Sequence, residues 1–269
     1  MRPRLLPVVA LSAVLLTAGC DGAPGDGAPG GGAAGGGAPT PSAEHAGTVR
    51  AAVEATGRTS ARLAHTTEMG DGTTTYTITG AGDFDLANDR GNLSVELAGT
   101  RTEEVFADGK VYVRGATGPA RGVWLVAHRD AEAHHLLRPP ANDPEFVLRQ
   151  VSMVKEYAQL PAEDVNGVRA VHYRGVLPDE AISLRMTKDA LDKVATMRTA
   201  FGGPIPALAD VWVDPQGRAV RARVGMEIKN LPKTVTTVGF SEFGKAVRVT
   251  PPAGEETEAS DGFTGPAIG

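Results

Sequence analysis

Cysteine is nearly missing from this chain: Cys20 is the single one in 269 residues. One thiol cannot make an internal disulfide, so a hydrophobic core must stabilise the fold by itself. Long apolar runs are scarce too. Leu5–Leu16 is uncharged and apolar, interrupted by Pro7 and Ser12, and falls short of the about 20 residues a spanning helix needs. No other long apolar run follows it. Positive charge is also in short supply. The formal net charge is −5, and removal of residues 1–19, which carry Arg2 and Arg4, leaves about −7. That balance excludes the basic stripe of a general nucleic-acid binder and the polybasic patch of a surface-adsorbed membrane protein.

Motifs for chemistry are equally sparse. Gly239–Lys245 matches G-x-x-x-x-G-K, but Ala246 stands where a Ser or Thr must reach magnesium. Val247-Arg248-Val249 then reads as strand, whereas a phosphate loop opens a helix. No G-x-S-x-G elbow occurs. His128, His134 and His135 are close in sequence, yet no cysteine or carboxylate spacing completes a tetrahedral set, and they read as solvated loop histidines. Asp83, Asp85, Asn88 and Asp89 fail the twelve-residue calcium pattern and read as a turn before a strand. Trp124, Trp212, Met186 and Met197 suit either core or cavity lining. These absences point away from an enzyme, a metal site and a cofactor.

What is present begins with Leu16-Thr17-Ala18-Gly19-Cys20. A short positive start, an apolar run and two small residues form the three parts of a secretory signal. Cys20 follows the small pair directly, and the stretch resembles a bacterial lipobox, with Thr17 where Leu is commonest. The resemblance implies diacylglyceryl transfer to the Cys20 thiol, cleavage after Gly19, and a protein lipid-anchored on the outer face of the cytoplasmic membrane. One acyl chain holds a protein only marginally, so two on Cys20 make the anchor stable.

Residues 21–42 are almost wholly Gly, Ala and Pro. Without large apolar side chains they read, together with Cys20, as a flexible tether over 20–42, spanning roughly 25 Å. Residues 43–249 are long enough for one core, and 250–269, rich in Pro, Gly and acids, read as a disordered tail.

Within 43–249 the spacing predicts a short helix over 46–56, then strands. Leu93, Val95 and Leu97 alternate with polar residues, and Asp108-Gly109 joins two apolar runs as a hairpin. Asp143-Pro144-Glu145 opens a helix predicted to run to Tyr157 and end at Leu160-Pro161. Asn166-Gly167 introduces a strand over 168–176. A second helical region is predicted over 178–200, with Ile182, Met186, Val194, Met197 and Phe201 on one face. Asp214-Pro215-Gln216-Gly217 turns a last clear hairpin. Its return strand alternates, with Val220, Ala222, Val224, Met226 and Ile228 on one side and Arg221, Arg223, Glu227 and Lys229 on the other. Strands, then helices, then strands make an α+β layout.

The lipobox, the tether, the Asp108–Val113 hairpin, the central helices and the closing Asp210–Gly217 hairpin together resemble the actinobacterial LppX/LprG-like lipoproteins and, more distantly, LolA-like carriers. The likeness spans residues 43–249. It implies a curved antiparallel half-open β-barrel with helices on the concave side and a hydrophobic cavity for acyl chains. The five-residue face of Val220, Ala222, Val224, Met226 and Ile228 is then the candidate cavity or core lining. The expected partners are the membrane, through Cys20, and a lipid or other amphiphile, with no nucleic acid. A non-catalytic envelope interaction or regulatory protein with a filled core is the alternative, and a cavity of several hundred cubic ångströms would separate the two.

Overall fold

The computed structural model describes residues 38–70, 73–115, 121–226 and 233–261. These fall in one compact unit that begins at Ala38. The signal, Cys20, residues 20–37 of the tether and Ile228 lie outside the described residues.

Helix α1 (Ala43–Gly57) leads into six strands: β1 (Ser60–Gly70), β2 (Thr75–Asp85), β3 (Arg90–Leu97), β4 (Thr100–Ala107), β5 (Lys110–Gly115) and β6 (Trp124–His128). Residues 129–145 form a long connection to the short helix α2 (Phe146–Ser152). Then come β7 (Tyr157–Val165), β8 (Val168–Val176), α3 (Asp179–Ile182), α4 (Lys188–Phe201), β9 (Ala207–Val213), β10 (Ala219–Met226), β11 (Lys233–Ser241) and a last short strand, β12 (Thr257–Ala259). All twelve strands form one curved sheet in the order β12-β6-β5-β4-β3-β2-β1-β11-β10-β9-β8-β7. Every pairing is antiparallel except β12 on β6. The end strands β7 and β12 do not meet, so the barrel stays half-open. Helices α1 and α2 lie on one face, over β9 and β10, and the main core lies between. This is the α+β architecture expected from the order of elements.

Local chemistry explains α1. Ser42 caps it, its Oγ accepting from the His45 amide at 3.2 Å, and Ala46, Val49 and Ala52 recur at helical spacing on the buried side. Ser42 also exchanges backbone hydrogen bonds with Tyr157 at 2.9 and 3.1 Å. The fold therefore claims Ser42, which the sequence reading placed in the tether.

Three other expectations need correction. The helix expected to open at Asp143 begins at Phe146 and stops at Ser152, and Tyr157 begins a strand. Its backbone is committed to Ser42, and its hydroxyl donates to the Val151 carbonyl at 2.8 Å. Pro161, read as a helix terminator, sits in the edge strand β7 beside a register shift between Leu160 and Glu163. An edge strand tolerates the missing N–H. The region 178–200 is two helices, not one. Arg185 between them takes φ 59 and reaches back to Asp143 at 2.7 Å.

The tail from Thr250, read as disordered, is the third as far as Asp261; residues 262–269 lie outside the described residues. The segment that leaves β11 crosses the outer face of the sheet. The Ser60 hydroxyl donates to the Lys245 carbonyl at 2.5 Å and the Asn92 amide to the Arg248 carbonyl at 3.2 Å. Val249 packs on Val105, Tyr112 and Trp124, and β12 then pairs with β6. An open edge and an apolar outer cluster are covered at once. Removal of residues 246–269 is expected to cost about 2 kcal/mol and to red-shift tryptophan emission as Trp124, now 9% exposed, meets water. Chemical denaturation followed by fluorescence measures both.

Candidate ligand site on the concave face

The two halves of the concave face are covered differently. Over β9 and β10 sit α1 and α2. Over β1–β4 sits the 129–145 connection, whose Arg138, Pro139, Pro140 and Ala141 face His65, Ile78, Leu93 and Glu104. That connection has no regular structure and is held by polar side chains. Asn142, 1% exposed, donates to the Ala131 carbonyl at 2.9 Å. Asp143 is wholly buried against Arg185, and the Arg185 guanidinium also donates to the carbonyls of Arg129 and Ala131. Arg129 pairs with Asp89 at 2.7 Å and lies over the Phe106 ring at 4.9 Å. Burial pushes Glu145 up to about 7, with Arg129 pulling the other way.

Beneath the connection is a cavity of about 40 Å³. Ile78, Leu93, Val95 and Val238 make apolar walls, and His65, Thr67, Thr102, Glu104 and Arg138 bring polar groups among them. Strand alternation delivers these groups. Thr102 and Glu104 share the inward face of β4 with Phe106, and His65 lies between Leu63 and Thr67 on β1. Gly80, opposite His65, leaves room for the imidazole; a Cβ there would stand 2.0 Å from its Cε1. Burial pushes the Glu104 carboxyl up to about 8, opposed by the attraction of Arg138. Burial, then repulsion from Arg138, lowers His65 to about 4. At neutral pH the imidazole is uncharged and Glu104 largely protonated. The Thr102 hydroxyl is buried with no hydrogen-bond partner among the described residues. Thr236 donates to the Leu137 carbonyl at 2.8 Å, so in its 2.9 Å bond with Thr67 it must accept. The Thr67 oxygen is left able to accept from the cavity side.

The predicted face on β10 is divided. Ala222, Val224 and Met226 lie in the main core at 0, 0 and 5% exposure. Val220 belongs instead to a second cluster with Val165, Ala170 and Trp212. A register shift between Ala219 and Arg221 breaks the alternation there. Ala222, Val224 and Met226 stand apart from the polar cavity and do not line it. Sequence reasoning missed His65, Glu104 and Arg138. A trace was present, because Glu104 falls on the same strand face as Phe106, but alternation alone does not show what covers that face.

A second polar cluster lies on the outer face of β7–β10. His172 is 2.9 Å from Glu163 through Nδ1 and 2.7 Å from Asp210 through Nε2. Its ring stacks on Trp212 at 4.3 Å, and the Trp212 indole donates to Glu163 at 3.1 Å. Arg174 and Arg223 complete the shell of Asp210. Burial would raise the Asp210 carboxyl, but hydrogen bonds from His172 and Arg174 prevail and lower it. With each carboxylate bonded and no nucleophile in it, the cluster acts as a tie across four strands. Among the described residues no three His, Cys, Asp or Glu side chains are grouped to hold a metal, and no helix is long and apolar enough to cross a membrane.

Neither a protein-family model nor a curated protein matches the chain in sequence. Solved structures similar to it include LprF from Mycobacterium bovis, at 13% identity over 80% of this chain and 99% of that one, with a TM-score of 0.49. The Mycobacterium tuberculosis lipoprotein LppX is similar at 14% identity over 76% of this chain and 97% of that one, TM-score 0.45. A putative outer membrane lipoprotein-sorting protein domain from Vibrio parahaemolyticus is similar at 10% identity over 78% and 93%, TM-score 0.25.

Proposed function

We propose that this protein is a lipoprotein, anchored through diacylglyceryl on Cys20 to the outer face of the cytoplasmic membrane, that binds a lipid or other amphiphile on the concave side of its sheet. The observation that carries this reading is the placing of Glu104, His65, Arg138 and Thr102 among apolar walls beneath the 129–145 connection. A fold that needed only a core would fill that space with aliphatic side chains, because buried ionisable groups cost several kcal/mol each. An amphiphile needs both surfaces: apolar walls for its chains and polar groups for its head. Binding is passive, needs no cofactor and makes or breaks no covalent bond.

The cavity of about 40 Å³ holds roughly one water, far below the 300–1,000 Å³ of ordinary ligand pockets. An acyl chain enters only when the 129–145 connection lifts, which must break the buried Asp143–Arg185 pair and uncover Leu137. The same small volume favours the second reading, a non-catalytic envelope interaction or regulatory protein with a filled core.

Mass spectrometry of lipids co-purifying with protein from its own host separates the two. A stoichiometric amphiphile, displaced by a fluorescent lipid in saturable fashion, is expected. No bound lipid and no saturable uptake across several lipid classes would establish the filled-core reading instead. The anchor is tested apart from the ligand. Cys20→Ala is expected to abolish lipidation and membrane retention through acyl chains, and equal membrane recovery of mutant and wild type, with the signal removed in both, would refute lipid anchoring.

A further inference from the structure

Five large apolar side chains are exposed among the described residues; Leu191 lies on α4 and the other four on the sheet. Tyr76, Val176 and Leu208 are exposed at 58, 66 and 43%. Val176 and Leu208 are direct partners across β8 and β9. From Leu208 the register runs through Gly225, Val235 and Glu68 to Thr77, the chain neighbour of Tyr76. All three therefore stand at one end of the strands, Val176 and Leu208 on the outer face that also carries Asp210 and Trp212, Tyr76 on the inner face with Ile78. Leu208 and Tyr76 are four strand spacings, roughly 19 Å, apart along the sheet. The opposite end is made of tight turns that carry both signs of charge, with Asp89 paired to Arg129 and Glu242 to Lys245, and Val168, 37% exposed, is its one large exposed apolar side chain among the described residues.

The chain enters the domain at the apolar end. Ser42 pairs with Tyr157, and Tyr157 pairs with Gly175, next to Val176. The entry point is thus two strand spacings, roughly 10 Å, from the Val176–Leu208 pair. Read as a Gly-rich coil, residues 21–41 span roughly 25 Å, less than a domain's own width, so whatever holds Cys20 stays within reach of this end.

We propose that the end of the sheet bearing Tyr76, Val176 and Leu208 docks on the lipid surface that carries the Cys20 anchor. The proposal rests on that anchor and is independent of amphiphile binding. The aliphatic pair leaves water for the headgroup boundary, where a tyrosine ring is also at home, its phenol wet and its body apolar. The short tether supplies the proximity that three side chains alone could not, because a tethered surface is met at high effective concentration. A protein partner at this end is the competing occupant, and lipid vesicles without any other protein decide between them.

The test uses the lipidated full chain, in which Cys20 carries lipid and leaves no free thiol. Val176→Cys, Leu208→Cys and Tyr76→Cys each receive a nitroxide, with Val168→Cys at the opposite end as the reference. The proteins are reconstituted into phosphatidylcholine–phosphatidylglycerol vesicles, and collisions with oxygen and with a water-soluble nickel chelate are compared. The oxygen-to-nickel ratio is expected to be several-fold higher at positions 176, 208 and 76 than at 168. Equal ratios at all four positions, with the protein still floating with the vesicles, would overturn the docking surface while leaving the anchor intact. Failure to float would overturn the anchor, and the proposal with it. Because the substituted side chains are exposed, circular dichroism of each variant should match the wild type, and for a position whose cysteine variant does not match, the label is placed at the exposed Thr77→Cys, which shares the outer face with Leu208.

Discussion

Val224→Asp is expected to unfold the domain. Val224 has no exposed surface; it pairs with Ala209 on one side and Thr236 on the other, and α2 lies over its strand. Neither Ala209 nor Thr236 carries a cation, and Arg149 of α2 is half exposed and 3.6 Å from Asp143, so an aspartate there would be a charge without a partner, and the group would have to protonate or the strand would have to leave the sheet. Either outcome costs a large part of the 5–15 kcal/mol that holds a domain together. Val224→Ala, which only removes volume, should cost roughly 2 kcal/mol and leave a cooperative transition. Circular dichroism of the two variants checks this. A folded Val224→Asp protein with a normal melting curve would mean that water reaches this face and that the core over β10 is open.

The second large effect is a pH dependence centred on Glu104. Burial raises its carboxyl from 4.5 to about 8, so the folded state holds the proton more tightly than the unfolded chain. Its contribution is fully present below pH 4.5 and is lost as pH rises through 8. The gap corresponds to about 5 kcal/mol over that window. His65 works at the acid end. Its imidazole is lowered from 6.5 to about 4, so its contribution is present above 6.5 and lost as pH falls through 4. Between 4.5 and 6.5 the two slopes oppose each other, and wild-type stability should be nearly flat there as far as this pair decides it. Above 6.5 only the Glu104 slope remains, and stability should fall towards pH 8. Glu104→Gln removes that fall. Its stability relative to wild type is expected to rise by about 5 kcal/mol between pH 4.5 and pH 8, read from denaturant midpoints at a series of pH values. Parallel curves for the two proteins would show that Glu104 is ionised and well partnered in the folded state.

Much of this architecture can be read directly from local chemistry. Asp108-Gly109, Asn166-Gly167 and Asp214–Gly217 each turn a hairpin where their residue types demand one. Alternation in β3 and β10 identifies the buried side, and the order of strands and helices is enough for the α+β class. Other features depend on partners distant in sequence. Nothing near Tyr157 announces that Ser42 will take its backbone, so a helix was the natural extension. Arg185 breaks a helical pattern because Asp143 needs a cation, and no window around residue 185 contains Asp143. Val220 leaves the β10 face through a register shift that only pairing with β9 reveals. The cavity groups are the sharpest case. His65 and Glu104 each look like an isolated polar residue on an inward strand face, and only the 129–145 connection, folding over both, turns them into one site.

Thr67 and Thr236 touch across β1 and β11 although 169 residues separate them. Strands β1–β6 pair in chain order, and so do β7–β11. Each half can assemble as soon as it is made, but the two runs of strands are hydrogen-bonded into one sheet by the β1–β11 pairing at this seam, with the short β12 later added to β6. At about 5–20 residues per second, roughly 10–30 s pass between synthesis of one side of the seam and the other. Through that interval β1 has an open edge and the sheet cannot close. For a chain exported as we propose, the consequence is one of order: the sheet is sealed on the β1 side only after β11 has been made.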